Sequence, residues 1–204
     1  MITPGAGREP DASETGRLEA FSDGVLAVII TIMVLELGAP HGASWADLRA
    51  KLPNFLIYIL SFVFVGIYWN NHHHLLRAAR HISGGVMWAN LHLLFWLSLI
   101  PVATAWVADF YDHRLPAATY GLVAVGAALA FLLLVQAIIR ADGRDSAVAA
   151  AIGSDVKGRG SLAIYVAGTA LAFVSPWIAY VLYAAVAVIW LIPDRRLTPA
   201  DPAG

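Results

Sequence analysis

The sequence predicts an all-α integral membrane protein with six transmembrane helices per subunit and both termini in the cytoplasm. Of its 204 residues, 59% are hydrophobic and 13% are charged, whereas a soluble domain carries about 25% charged residues. The 13 Lys and Arg against 14 Asp and Glu provide no basic surplus for binding nucleic acid. The chain has no cysteine, which excludes disulfides, cysteine-based metal sites and a thiol nucleophile.

Long apolar segments predict the positions of these helices, because one span requires about 20 apolar residues. The segments cover residues 18–37, 54–69, 86–108, 117–139 and 161–192. The last one is too long for a single span, and Ser175-Pro176 divides it into halves. Proline disfavours helical geometry at the preceding residue, so we predict two short helices over 160–174 and 177–192.

The distribution of basic residues predicts the orientation, since cytoplasmic loops collect Lys and Arg. Six helices with the N-terminus inside place ten basic residues in the cytoplasm and three outside, whereas five helices give eight and five. We therefore predict a polar N-terminal tail over 1–16, a transmembrane domain over 17–193 and a C-terminal tail over 194–204. The polar tail does not resemble a cleavable signal peptide. The loop over 140–160 is expected to contain one helical turn around 147–152.

Several polar residues interrupt the apolar segments at one common depth. Asp23 lies one turn inside the first span, where an ionisable group normally faces a partner or a cavity. An alternative is an interfacial acid stabilised by the helix dipole and Arg17. Because the second helix ends and the third begins at the same side, we predict a hydrogen-bond network among Ser22, Asp23, Trp69, a second-helix histidine (His72 or His73) and Asn90. His74 and His81 are expected to lie at the membrane interface.

The consecutive histidines do not predict a metal site. Neighbouring positions on a helix point about 100° apart, and the residues four positions after His72, His73 and His74 are not ligands. A haem held between His72 or His73 and His92, in a membrane redox protein, is an alternative. No nucleophile elbow, H-E-x-x-H motif or phosphate-binding loop points to an enzyme.

The first helix carries one uniform face, formed by Gly24, Val28, Thr31, Ile32 and Leu35. Taken alone, this face is typical of the core of a helical bundle. In a symmetric oligomer the same face would form successive rings of apolar side chains with one ring of hydroxyls. Hydrophobic constrictions of this kind remove the hydration shell of a permeating ion.

Five motifs resemble the transmembrane protein 175 family of potassium channels. They are Arg17-x-x-x-Phe21-Ser22-Asp23, Tyr68-Trp69-x-x-His72-His73, Trp88-x-Asn90-Leu91, Ser98-Leu99-Ile100-Pro101 and Ser175-Pro176-Trp177. The resemblance extends from Arg17 to Pro193. It implies a homotetramer of six-helix subunits in a lipid bilayer, the prokaryotic plasma membrane for a bacterial member, with the first helix lining a single pore.

The resemblance also implies roles for individual residues. Val28, Ile32 and Leu35 correspond to the family's constrictions, and Thr31 to its pore threonine. A network that orients the first helix would comprise Arg17, Phe21, Ser22, Asp23, Trp69, His72, His73 and Asn90. The expected function is a potassium-selective cation channel that needs no cofactor and takes K⁺ as its permeant ion. The alternative is a proton channel or proton-coupled transporter that uses Asp23 and the second-helix histidines, because histidine titrates near neutral pH.

Overall fold

The computed structural model describes residues 11–152 and 155–191, and every regular element in these ranges is a helix. The helices are α1 (Asp11–Leu37), α2 (Trp45–Ala50), α3 (Leu52–Ala78), α4 (Gly84–Ser98), α5 (Ile100–Asp109), α6 (Arg114–Asp142), α7 (Ala147–Ile152), α8 (Val156–Leu171) and α9 (Pro176–Leu191). Helix α1 already begins within the predicted N-terminal tail. The C-terminal tail predicted over 194–204 lies outside the described residues.

Four helical segments are long and apolar enough to cross a membrane. They are α1 from Glu14, α3, α4 with α5, and α6, and each matches one of the first four predicted spans. Helices α8 and α9 have 16 residues each, which is shorter than the roughly 20 residues of an ordinary span. The described ranges therefore have an all-α fold with four spans by length and composition.

Two local predictions are confirmed by the helix boundaries. The long apolar segment divides where proline predicts, because α8 ends at Leu171 and α9 begins at Pro176. Proline fits the first position of a helix, where its missing N–H would have no partner in any case. The short helix α7 occupies the predicted helical turn in the loop that follows α6.

The third predicted span is interrupted, which the sequence analysis did not anticipate. It divides at Leu99 into α4 and α5. Pro101 lacks an N–H and cannot donate to the carbonyl of Leu97, which explains a break at this point. A further unpredicted element, α2, begins with a capping box in which Ser44 and Asp47 bond each other's backbone.

Helix α6 lies at the centre of the packing and contacts α4, α5, α8 and α9. Many of its buried positions are alanine or glycine, and small residues allow helix backbones to approach closely in membranes. A Cβ at Gly126 would overlap the ring of Trp96, and one at Gly121 would overlap the hydroxyl of Tyr183. These two glycines therefore bring α4 and α9 against α6.

Helix α1 packs on α3, α4 and α5 at the side of this bundle. Its C-terminal end is followed by Gly38 with a positive φ of 60°, a conformation that favours glycine. Lys51, just before α3, donates from Nζ to the carbonyl of Leu37 at 3.4 Å. A lysine at this end also interacts favourably with the helix dipole.

Candidate functional site

The two faces of α1 differ in exposure although both are apolar. Leu26, Ile29 and Met33 are only 1 to 3% exposed and pack inside the subunit. On another side, Val28 is 55% exposed and Leu35 is 77% exposed. We call the buried residues, with Ser22, the inner face of α1, and we call Gly24, Val28, Thr31, Ile32 and Leu35 the exposed strip. Ala27 and Val34 are exposed as well.

All five members of the strip reach the subunit surface, in agreement with their predicted common face. Ile32 lies at its edge and is 41% exposed. Thr31 is exposed, and its Oγ1 donates to the carbonyl of Val28 at 2.9 Å. This hydrogen bond uses the hydroxyl proton and leaves oxygen lone pairs available to water or a cation. The strip thus combines apolar side chains with one accepting oxygen.

A buried chain of hydrogen bonds fixes the N-terminal part of α1 against α3 and α4. The atoms His72 Nε2 and Asn90 Oδ1 are 2.6 Å apart, and Asn90 Nδ2 donates to Ser22 Oγ at 2.9 Å. Ser22 Oγ in turn donates to the carbonyl of Leu18 at 2.8 Å. Because Asn90 uses its NH₂ group on Ser22, its oxygen accepts from His72, and this assignment places the imidazole proton on Nε2.

Two further contacts join α1 and α3 beside this chain. Trp69 Nε1 donates to Asp23 Oδ1 at 3.0 Å, and His73 Nδ1 lies 2.6 Å from Glu19 Oε1. Glu19 and Asp23 are four residues apart on α1, and Trp69 and His73 are four apart on α3. This spacing aligns each pair on one helix face, so the two antiparallel helices make matching contacts one turn apart.

These contacts together form the polar network: Glu19, Ser22, Asp23, Trp69, His72, His73 and Asn90. The five residues expected to bond one another, with His72 as the bonded histidine, form two separate groups, Ser22–Asn90–His72 and Asp23–Trp69. Among the described contacts, no hydrogen bond joins the two groups. Glu19 was not among the predicted members, although its four-residue spacing from Asp23 was a usable signal. Arg17 and Phe21, which the resemblance assigns to the network, are exposed, and their part in orienting α1 stays a prediction.

The histidine arrangement does not fit a haem. His72 is 1% exposed, and its Nε2 is engaged by Asn90. His92 is exposed, and its Nε2 accepts a hydrogen bond from Trp96 Nε1 at 3.0 Å. Among the described residues, no group of three or more His, Asp or Glu could hold a metal ion. His74 and His81 are exposed, as expected for residues at an interface.

One polar atom in the network has no partner. Among the buried side-chain nitrogen and oxygen atoms of the described residues, this is His72 Nδ1. With the proton on Nε2, Nδ1 is a bare acceptor enclosed by protein. An unpaired buried polar group is costly, so the remaining bonds of the network must hold the ring in place against this cost.

These observations define a class. Apolar helices long enough to span a bilayer, a buried polar network at one end and an exposed strip on the first helix are features of a multi-pass α-helical membrane protein. Residues 17–101 match the family described as endosomal/lysosomal potassium channel TMEM175. A protein from Chryseobacterium sp. (strain P1-3), named a potassium channel, is 54% identical over 182 residues, or 89% of this chain and 95% of the relative. The chain belongs to the TMEM175 family.

Two further similarities extend this result. The crystal structure of a lysosomal potassium-selective channel TMEM175 homologue from Chamaesiphon minutus has a TM-score of 0.77 and 28% sequence identity, covering 88% of this chain and 97% of the other. The human relative, named an endosomal/lysosomal proton channel, is 33% identical over 107 residues. This match covers 47% of the present chain and 21% of the human one, so the two proteins share only part of their lengths.

Proposed function

We propose that this chain is the subunit of a homotetrameric, potassium-selective cation channel in a prokaryotic plasma membrane. It would act as a channel and not as an enzyme, with K⁺ as the permeant ion and no resident cofactor. Relatives that cover most of the chain support this proposal, because one is named a potassium channel and another is described as potassium-selective. The structural observation that carries it is the exposed strip of α1.

The strip suits a pore better than a protein core. The inner face of α1 already packs on the rest of the subunit, so the strip is available for another role. Four copies arranged around an axis would present rings of Val28, Ile32 and Leu35, with Thr31 hydroxyls between them. Leu35, at 77% exposed, is the most exposed apolar residue of the strip, and we propose that it forms the narrowest ring.

The preference for K⁺ over Na⁺ would arise because a permeating ion loses water ligands in the rings. A hydrophobic ring offers an ion no replacement for its water ligands, and K⁺ holds its water less strongly than Na⁺. The oxygen of Thr31 would compensate part of the loss between the rings. The polar network would keep α1 at the rotation that directs the strip towards the axis.

The same proposal includes six spans with both termini in the cytoplasm. Arg77 lies in the last turn of α3 and Arg80 just after it. Arg140 lies in the last turn of α6 and Arg144 just after it, at the same end of the bundle as the polar network. This grouping agrees with the positive-inside rule. Helices α8 and α9 would cross as a short pair, since 16 residues rise about 24 Å against a hydrocarbon core of about 30 Å.

Ion flux from proteoliposomes tests the function. We expect purified protein to conduct K⁺ down a gradient and to conduct little Na⁺ under a matched gradient. Leu35→Ala should widen the narrowest ring and raise Na⁺ flux. The matched control is Leu129→Ala, because Leu129 is 45% exposed but lies on α6, away from the proposed pore. Unchanged K⁺/Na⁺ selectivity in Leu35→Ala, Ile32→Ala and Val28→Ala alike would contradict the mechanism.

Proton conduction is a second candidate, favoured by one feature of the network. Two carboxylates and an imidazole follow one another along the contact between α1 and α3, in the pairs Asp23–Trp69 and Glu19–His73. The name of the human relative also supports this candidate. Asp23→Asn keeps an acceptor for Trp69 but removes the charge. Loss of proton flux with retained K⁺ flux would favour this candidate, and Glu36→Gln, at the other end of α1, is the control.

A further inference from the structure

A cavity lies between α3, α6, α8 and α9, on the side of the bundle away from α1. Its empty space of about 540 Å³ includes open solvent at the mouth, so the cavity is accessible from outside the bundle. Its walls are mainly aromatic and include Phe64, Tyr68, Phe131, Tyr165 and Trp190. The rings pack in pairs, with centroids 5.9 Å apart for Tyr68 and Phe131 and 6.0 Å apart for Phe64 and Tyr165.

One carboxylate lies in this aromatic lining. Asp155 is, among the described residues that line the cavity, the one with a formal charge. It precedes α8 with a positive φ of 43°, and its Oδ1 accepts a hydrogen bond from the amide of Gly158 at 3.1 Å. Burial raises the pKa of this carboxyl, although Gly158 and Arg159 act in the opposite direction. Burial therefore disfavours the charged form of this carboxyl more than Gly158 and Arg159 favour it.

The aromatic walls offer a second source of attraction for a cation. The faces of Trp and Tyr rings are electron-rich and bind ammonium groups at close range. One face of the Trp190 ring is already occupied by a cation of the chain, because Lys157 Nζ lies 4.7 Å from its centroid, which leaves the apolar edge of the ring to a ligand. The indole is also fixed, since its Nε1 donates to Ser161 Oγ at 2.8 Å.

We propose that this cavity binds an organic ammonium ion with an apolar body. The nitrogen pairs with Asp155, and the hydrocarbon part lies among Phe64, Phe131 and Trp190. An anionic guest would meet the Asp155 carboxylate, and a neutral apolar guest or a lipid chain would leave it without a counter-charge. The site is separate from the exposed strip of α1, so ligand binding can be measured without reference to ion conduction.

Three probes that differ in charge test the proposal. They are 2-phenylethylammonium, neutral 2-phenylethanol and anionic 3-phenylpropionate, measured by calorimetry on the full chain in lipid nanodiscs, with empty nanodiscs subtracted. We expect the ammonium to bind at least about tenfold more tightly than the alcohol, because only the ammonium can form a charge-assisted hydrogen bond with Asp155. The carboxylate should bind most weakly. Equal affinity for ammonium and alcohol, or no binding of the ammonium, would overturn the proposal.

A matched pair of variants tests whether the Asp155 carboxylate is the group that selects the ammonium. Asp155→Asn retains a helix-capping oxygen and tolerates a positive φ, so the fold should persist while the preference for ammonium disappears. Asp145→Asn removes an exposed acid from the same connection and should keep the preference. A preference that survives in Asp155→Asn would show that another group selects the cation. The comparison of the three probes on the unaltered chain remains decisive if this variant does not fold.

Discussion

The two faces of α1 contain similar residues but have different environments. Leu26, Ile29 and Met33 are enclosed by the subunit, whereas Val28 and Leu35 are more than half exposed. Hydrophobicity cannot tell these faces apart, because both are compatible with a membrane. We propose that the rotation of α1 is instead set near its N-terminal end, where Ser22 bonds to Asn90 and Asp23 to Trp69. A few polar contacts would then determine which apolar face remains available for function.

Removal of the Asn90 side-chain amide should have the largest effect on how the two faces of α1 differ. Asn90→Ala leaves His72 Nε2 without an acceptor and removes the donor to Ser22 Oγ, inside a site with 0 to 1% exposure. We expect a loss of about 2–4 kcal/mol in stability together with loss of K⁺ flux, measured by unfolding in detergent and by liposome assay. The control Asn70→Ala alters an exposed asparagine on α3. Equal stability of the two variants would exclude the network as the determinant of rotation.

Truncation of one side chain on each face of α1 should affect two different properties. The change on the inner face should lower protein stability, and the change on the exposed strip should lower K⁺/Na⁺ selectivity. Met33→Ala opens a cavity at a 1% exposed position and should cost about 2–3 kcal/mol, near the low end for such changes because lipid is also apolar. Leu35→Ala should change stability by less than about 0.5 kcal/mol while it raises Na⁺ flux. Unfolding midpoints and flux ratios of the same two preparations test this. Comparable destabilisation by both variants would mean that the strip is also a packing surface.

The outer contact of the network should contribute less than the buried chain. Trp69→Phe keeps the ring but removes the donor to Asp23, and we expect a loss of about 1 kcal/mol because Trp69 is 46% exposed. A double-mutant cycle with Asp23→Asn measures this coupling. Trp45→Phe, at an 80% exposed position on α2, is the control. A cycle with no coupling energy would remove this contact from the description of the network.

The smallest change concerns the single hydroxyl on the strip. Thr31→Val has nearly the same shape but no oxygen, so stability should stay within about 0.5 kcal/mol. We expect K⁺ flux to fall by about threefold to tenfold, the effect of one lost polar contact of about 1 kcal/mol. Thr31→Ser restores the oxygen and should retain the flux. If the valine and serine variants conduct equally, the hydroxyl takes no part in permeation.

The structure was most predictable from the sequence at residues whose chemistry allows few structural arrangements. Asp23 inside a span required a partner, and Trp69 supplied one at the matching depth. Pro176 marked the start of α9 for a similarly direct reason. In each case a single side chain restricts the possible structures, so no knowledge of tertiary packing was needed.

Other features depended on three-dimensional packing or on weaker local signals. The break at Leu99 was missed because an apolar segment of the right length suggests one continuous helix, although Pro101 was visible. Which α1 residues are buried could not be deduced from hydrophobicity alone. The exposure of Phe21, at 53%, likewise depends on how the helices are rotated, which spacing does not determine.

The bond from Lys51 to the carbonyl of Leu37 has a mechanical consequence. Helix α1 is held at its N-terminal end by the polar network and at its C-terminal end by this lysine. A rod fixed at both ends resists rotation and sliding but can still bow between its supports. Changes in the width of the proposed pore would therefore come from curvature of the segment over 24–36, with its two ends acting as fixed points.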